Sequence, residues 1–301
     1  MIPGRFYMLT RRCLDQQFFL RPSDDTNNAF AYCLALAAMR TEMEVMLSVQ
    51  MSNHHHTVVF DRDGRYPEFI EYFHRMVARC MNAHLGRDEI FWSGAQASVV
   101  ELLDIDAIME KLVYAATNPI EAGLVAAVGD WPGVNTYREL MERRPLAATR
   151  PTFFFRSDRR AQPLRVEIEM VVPPELGDAD VFLAALREQV EARVADIART
   201  RANEGKRGVL GRAKVLAQDC FAHSRPERRE DRNNISPRFA SRNRWAREEA
   251  AVRGVLFRFF YRRARHAMLG GLRVMFPRGS YFLPRFANVP VVRGVVADPG
   301  A

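Results

Sequence analysis

The sequence predicts an α+β fold, an antiparallel sheet with helices laid on one side. Three observations lead there. Short runs alternate apolar and polar positions, clearest where Val45, Leu47 and Val49 interleave with Met46, Ser48 and Gln50. Between such runs lie longer stretches with apolar residues at helical spacing. Strands and helices interleave along the first 120 or so residues, an order that a sheet covered by helices accommodates.

Phe6 to Cys13 reads as the first strand. Asp24, Asp25 and Thr26 supply capping groups for a helix to about Arg40, with Phe30, Leu34 and Met39 at roughly helical spacing. The alternation over Val45 to Val49 gives a second strand, Ser52-Asn53 a tight link, and His56 to Phe60 a third strand. Asp61 to Gly64 turns the chain into a helix from Glu68 to about His84, striped by Ile70, Phe73, Val77 and Met81 and followed by Gly86. Ser98 to Leu103 is a further strand. In the helix from Asp104 to Thr117, Ile105, Ile108, Met109, Leu112 and Ala116 form one face. Steps of 100° put Tyr114 nearly opposite that face, with Lys111 and Asn118 as its neighbours. Pro119 is expected to end this helix and Gly123 to allow the following turn.

A chain of 301 residues suits two domains of roughly 100–200 residues each. The expected division is a first domain over 1–146, a linker over 147–163 that holds Phe153-Phe154-Phe155, and a basic, mainly helical domain over 164–301. In the latter, Leu164, Val166, Ile168 and Met170 mark a strand. Asp180 to Arg201 is an amphipathic helix with Val181, Leu186, Val190, Val194 and Ile197 inward. A shorter helix is expected within Gly205 to Ala222, a basic loop over His223 to Arg247, and an Arg-decorated helix from about Trp245 to Leu269.

Composition narrows the class. Apolar residues make up 48% and charged residues 27%, a globular profile that excludes a disordered or fibrous chain. Cys13, Cys33, Cys80 and Cys220 are scattered, without a CxxC pair, so free thiols in a reducing cytoplasm are expected, with a nucleoid-associated location. The longest apolar run, Ala29 to Met39, is 11 residues, too short to span a bilayer. No membrane partner is expected. The net charge of +8 divides into −5 over residues 1–145 and +13 over 146–301. Such a basic half suits a polyphosphate partner, and Arg, which outnumbers Lys heavily here, matches phosphate with a planar fork.

The sharpest local signal is Asn53-His54-His55-His56. On a strand, His54 and His56 project to one side and can share a metal ion, while His55 points away. Two imidazoles, an oxygen donor and open positions make a site for Mg²⁺, Mn²⁺ or a similar ion that accepts a phosphate. Taken alone, a His-x-His on a strand more often serves packing. Tyr114 on the polar side of its helix is a candidate nucleophile, and Asn118 one turn on can offer an amide oxygen to the same ion. An ordinary surface tyrosine and a helix-ending Asn are the plain alternative.

The two motifs together resemble a known family. Met51-Ser52-Asn53-His54-His55-His56-Thr57-Val58-Val59 is similar to the Met-Pro-Asn-His-hydrophobe-His run of HUH single-strand transposases. Tyr114-Ala115-Ala116-Thr117-Asn118-Pro119-Ile120-Glu121-Ala122-Gly123-Leu124-Val125 resembles the Tyr-Ile-x-x-Asn-Pro-Val-Arg-Ala-Gly-Leu-Val block of the REP-associated tyrosine transposases, with Phe91-Trp92 and Trp131-Pro132 as weaker landmarks. The resemblance covers about the first 140 residues. It implies a ferredoxin-like core, metal on His54, His56 and Asn118, and Tyr114 as a nucleophile that forms a 5′-phosphotyrosyl link with single-stranded or hairpin DNA. Ser52 stands where Pro is usual, His55 where an apolar residue is usual, and Glu121 where Arg is common.

Because Tyr114 faces away from its helix's apolar stripe, it meets the His pair either across an open cleft of a monomer or on the partner in a homodimer. Arg11, Arg12 and Lys111 near the motifs are expected to touch DNA. So are Arg225, Arg228, Arg229, Arg232, Arg238 and Trp245 in the basic half, through backbone contacts and stacking. Two rival readings keep the motifs: a domesticated, non-cutting DNA-binding protein that recognises repeats, and a metal nuclease that hydrolyses with water.

Overall fold

A computed structural model describes residues 2–155, 162–206, 208–224, 238–281 and 287–292. Its centre is a five-stranded sheet in the order β2-β3-β1-β4-β7, from β1 (Arg5–Arg12), β2 (Glu44–Gln50), β3 (His54–Asp61), β4 (Ser98–Leu102) and β7 (Phe239–Ala240). The first four run antiparallel and β7 joins β4 in parallel, so the sheet is mixed. Helices α1 (Asp24–Thr41), α2 (Tyr66–Leu85) and α3 (Ile105–Glu121) fall between the strands in sequence. The fold is α+β, as the interleaved periods predict.

Register decides which side chains share a face. In an antiparallel ladder directly opposed residues point the same way. Thr10 opposes His56 and Arg12 opposes His54, while Leu9 opposes Thr57 and Arg11 opposes His55. The first four therefore lie on one face and the second four on the other. His55 packs against Phe30 of α1 and Phe73 of α2, and His56 against Tyr114 of α3. Thus α1 and α2 cover one face and α3 the other, so the helices are not confined to one side of the sheet as expected. Strand β3 is buried on both faces, His55, Thr57 and Val59 on one and His56, Val58 and Phe60 on the other, and each apolar face needs a cover. Leu9, Phe30, Phe73 and Leu112 have no exposure, and each such side chain contributes about 1.5–3 kcal/mol by leaving water.

Local chemistry explains where the elements begin. Ser23 caps α1, its side chain accepting from Thr26 N, one residue ahead of the acidic pair expected to do so. Asp104 caps α3 by accepting from Ala107 N at 2.8 Å. Strand β3 begins at His54, so all three histidines alternate on one strand. Pro119 does not end α3, which continues to Glu121. Pro119 sits in the last turn, where few amides beyond it depend on the helix. Gly123 at φ 68° then closes the helix, its N–H donating to the Ile120 carbonyl.

Later elements depart further from the sequence reading. Strand β5 (Leu146–Thr149), at the start of the stretch read as a linker, pairs antiparallel with β6 (Arg165–Ile168), which lies just beyond that stretch in the segment read as a strand, and Tyr32 of α1 donates to the Pro163 carbonyl at 2.6 Å. A short helix, α4 (Tyr137–Glu142), precedes them. In α5 (Ala179–Asn203), Val181 is 70% exposed, and Phe182 and Leu183 turn inward instead. Between Gly205 and Ala222 the helix is a single short piece, α6 (Arg212–Leu216). The helix α7 (Arg244–Leu269) buries only Ala250. Among the described residues, no helix is long and apolar enough to cross a membrane.

Candidate functional site

The site forms where the start of β3 meets α3. His54 and His56 present their Nε2 atoms to each other at 3.1 Å. The Tyr114 ring stands edge-on to His56, with centroids 5.2 Å apart. Asn118 lies one turn beyond Tyr114 on α3, near enough to both the His54 imidazole and the Tyr114 phenol to shift their protonation. All four side chains belong to one chain, so Tyr114 reaches the His pair without a second copy.

Both imidazoles are held from behind. Asn53 donates through Nδ2 to Ser224 Oγ at 2.9 Å and to the Gln16 carbonyl at 3.3 Å, which fixes its amide orientation. Its Oδ1 then lies 2.7 Å from His54 Nδ1. A carbonyl oxygen only accepts, so His54 carries its proton on Nδ1 and leaves Nε2 bare. Thr10 Oγ1 stands 2.8 Å from His56 Nδ1. A hydroxyl can donate or accept there, so His56 can take either tautomer. Burial first, then the Arg12 charge, pushes the His54 pKa down to about 4. Burial also holds His56 well below the usual histidine range, with His54, Arg12 and Lys111 adding to the effect. Both rings are therefore neutral at pH 7.

These donors fit a divalent ion. An ion about 2.1 Å from each nitrogen, bound at a right angle, would see them about 3.0 Å apart, against the 3.1 Å observed. The Nδ1 partners, the Asn53 amide oxygen and the Thr10 hydroxyl, can accept the second ring proton as outer partners of metal-bound histidines do. Among the described residues no three His, Cys, Asp or Glu side chains cluster as a metal site, so a third protein ligand would be the Asn118 amide. Without an ion, His56 satisfies His54 by donating from Nε2 while Thr10 donates to its Nδ1.

The phenol of Tyr114 has its pKa raised by burial and by Glu121, against the lowering pull of Arg12 and Asn118. Glu121 is itself engaged by Arg193 at 3.0 Å. Lys111 pairs with Glu110 at 2.8 Å and lies 5.9 Å from the Tyr114 ring. Tyr114 is 36% exposed, which leaves the phenol open to a substrate from solvent.

The other residues singled out in the sequence lie elsewhere. Arg11 is on the α1 and α2 face, donating to the Ser93 carbonyl at 3.3 Å, and burial lowers its pKa. His55 sits in the core, its Nε2 2.9 Å from His74 Nε2, and Trp92 donates to the His74 carbonyl. Arg238 precedes β7 at the far sheet edge, and Trp245 opens α7 with 76% of its surface exposed. Arg225, Arg228, Arg229 and Arg232 lie outside the described residues. Thr10 and Asn53 are the members of the site that sequence reasoning did not assign; Asn53 stood in the motif, while nothing in the sequence marks Thr10.

No family model and no curated protein matches the chain. Among solved structures, the chain is similar to a REP-associated tyrosine transposase bound to a REP hairpin, with a TM-score of 0.37 and 17% identity, over 54% of this chain and 93% of that one.

Proposed function

We propose that the chain cuts and rejoins single-stranded, hairpin-forming DNA, with Tyr114 as nucleophile and Mg²⁺ or Mn²⁺ held by His54, His56 and Asn118. The carrying observation is the convergence of a partly exposed phenol on two neutral imidazoles whose Nε2 atoms face each other at 3.1 Å. The hairpin substrate and the role in DNA transposition come from the likeness of the two sequence motifs. A divalent ion at the imidazoles would withdraw charge from a phosphate oxygen.

In the reaction, Tyr114 Oη loses its proton to solvent and bonds to phosphorus as the bond from phosphorus to the 3′-oxygen breaks. The departing oxygen takes up a proton and becomes a free 3′-hydroxyl, while the 5′-phosphate stays on the tyrosine. The reverse attack by a 3′-hydroxyl reseals a strand, and the phosphodiester energy is kept in the protein link. Arg12 and Lys111, both within electrostatic reach of His56, attract the backbone phosphate and favour the tyrosinate. Asn53 and Thr10 hold the imidazoles in place.

Incubation of labelled hairpin DNA with Mn²⁺ and protein, resolved by denaturing electrophoresis, tests this reading. A covalent protein–DNA adduct is expected from the wild type and not from Tyr114→Phe. Cleavage without an adduct, or an adduct that survives Tyr114→Phe, overturns it.

A further inference from the structure

On the face of the sheet away from His54, His56 and Tyr114 lies a cavity of about 450 Å³, where β1, β4 and β7 meet the start of α2 and one side of α7. We infer that this cavity binds a nucleotide, with its base among aromatic rings and its phosphate on arginines. The volume falls within the roughly 300–1,000 Å³ of small-molecule pockets. The inference stands apart from DNA cleavage, because the lining side chains and the catalytic candidates point to opposite faces.

Three features select the ligand. The first is a pair of phenols in the wall. Tyr7 is only 5% exposed and lines the cavity. Tyr66, whose ring lies tilted 4.4 Å from that of Tyr7, also lines the cavity. Burial raises the pKa of both phenols, that of Tyr66 to about 12, so both remain O–H donors at neutral pH.

The second is charge. Glu101, the acid in the lining, is neutralised by Arg253 at 2.6 Å and Arg5 at 3.7 Å. Arg238 and Arg278 also line the cavity and form no ion pair among the described residues. Two uncompensated guanidiniums beside buried phenols call for an anion with several acceptor oxygens.

The third is shape. Phe239 and Phe257 give the wall flat apolar surface, and Gly254 leaves the α7 side without a side chain. A planar ring joined to a phosphate meets all three requirements, whereas inorganic phosphate would leave the aromatic wall facing water.

The same chemistry is offered by a free mononucleotide and by an unpaired nucleotide within a strand. Calorimetric titration of the full chain with adenosine, cytidine, guanosine and thymidine monophosphates, a ten-nucleotide single strand and inorganic phosphate separates them. The blocking variant is Gly254→Leu. A Cβ at Gly254 meets only ordinary contacts, 3.5 Å from the Arg258 side chain and 3.9 Å from the Phe239 ring, so the longer side chain projects towards the cavity without displacing the backbone. Saturable mononucleotide binding that falls at least tenfold in Gly254→Leu supports the inference with a free nucleotide as ligand. Binding of the strand alone, weakened by Gly254→Leu, supports it with a strand nucleotide. Tyr7→Phe is expected to weaken either by about five- to tenfold, the effect of one hydrogen bond, and it carries the test with Arg278→Gln if Gly254→Leu does not fold. Equal affinity for inorganic phosphate, absence of nucleotide binding, or affinities unchanged by these variants overturns the inference.

Discussion

Replacing Thr10 by Val tests whether the His pair is built to hold a metal. The two side chains have nearly the same shape, and the Thr10 hydroxyl has one hydrogen bond, to His56 Nδ1 at 2.8 Å. In the metal-bound state both Nε2 atoms must be bare, so His56 must carry its proton on Nδ1 and donate it to Thr10. Val removes that acceptor and places a methyl against the N–H, favouring the tautomer that blocks the metal. Loss of an orienting partner of this kind costs about 10–100-fold in metal affinity, or roughly 1.4–2.7 kcal/mol at 1.36 kcal/mol per tenfold. The fold should lose only about 1 kcal/mol, the net worth of one hydrogen bond. Calorimetric titration of Mn²⁺ into wild type and Thr10→Val at pH 7.5, with thermal melting of both apoproteins, separates the two effects. Equal Mn²⁺ affinity in the two proteins would show that the Thr10 contact serves packing alone and would remove the tautomer argument.

Asn53→Ala is expected to weaken Mn²⁺ binding over the same range and also to destabilise the apoprotein by about 1–3 kcal/mol, because its amide also holds the Gln16 carbonyl and Ser224; chemical denaturation beside the metal titration checks both. His74 is buried, and its pKa is lowered to about 3, first by desolvation and then by Arg11. An unfolded histidine takes up its proton near pH 6.5, so this contribution to stability is complete above that pH and is lost as pH falls towards 3, by up to about 1.4 kcal/mol per pH unit. Thermal melting between pH 7 and 4 should fall less steeply in His74→Gln, and an unchanged slope refutes the assignment. Gly123→Ala should cost more than about 1 kcal/mol, since Gly123 has φ 68° and an added Cβ would stand 2.5 Å from the Arg201 guanidinium; a denaturation midpoint equal to wild type would contradict it.

Much of the fold was legible because its signals are local. The acidic start of α1, the Gly86 stop and the alternation around Val45 to Val49 each act within a few residues, and the elements formed close to where they were read. The misses were long-range. Strand β7 is two residues long, too short to show a period, and exists because β4 offers it an edge. Val181 was placed inward by spacing alone, but Phe182 and Leu183 bury more surface and set the rotation at the start of α5. Pro119 was read as a stop by its intrinsic effect, yet the helix outlasts it.

The candidate site divides along the same line. That His54 and His56 share a face, and that His55 does not, follows from the period of a strand. That Tyr114, Lys111 and Asn118 share a face follows from the period of a helix. What no period encodes is register. Thr10 meets His56 because β1 and β3 pair in one of several possible alignments, across 46 residues of sequence. A slip of one residue would bring Arg11 to His56 and send Thr10 to the opposite face. That would replace a neutral partner for the imidazole with a guanidinium, which cannot accept its proton. The chemistry of the His pair therefore rests on the apolar residues that fix this register. Leu9, Val58 and Val59, all without exposure, would have to leave their packed positions for β1 to shift against β3.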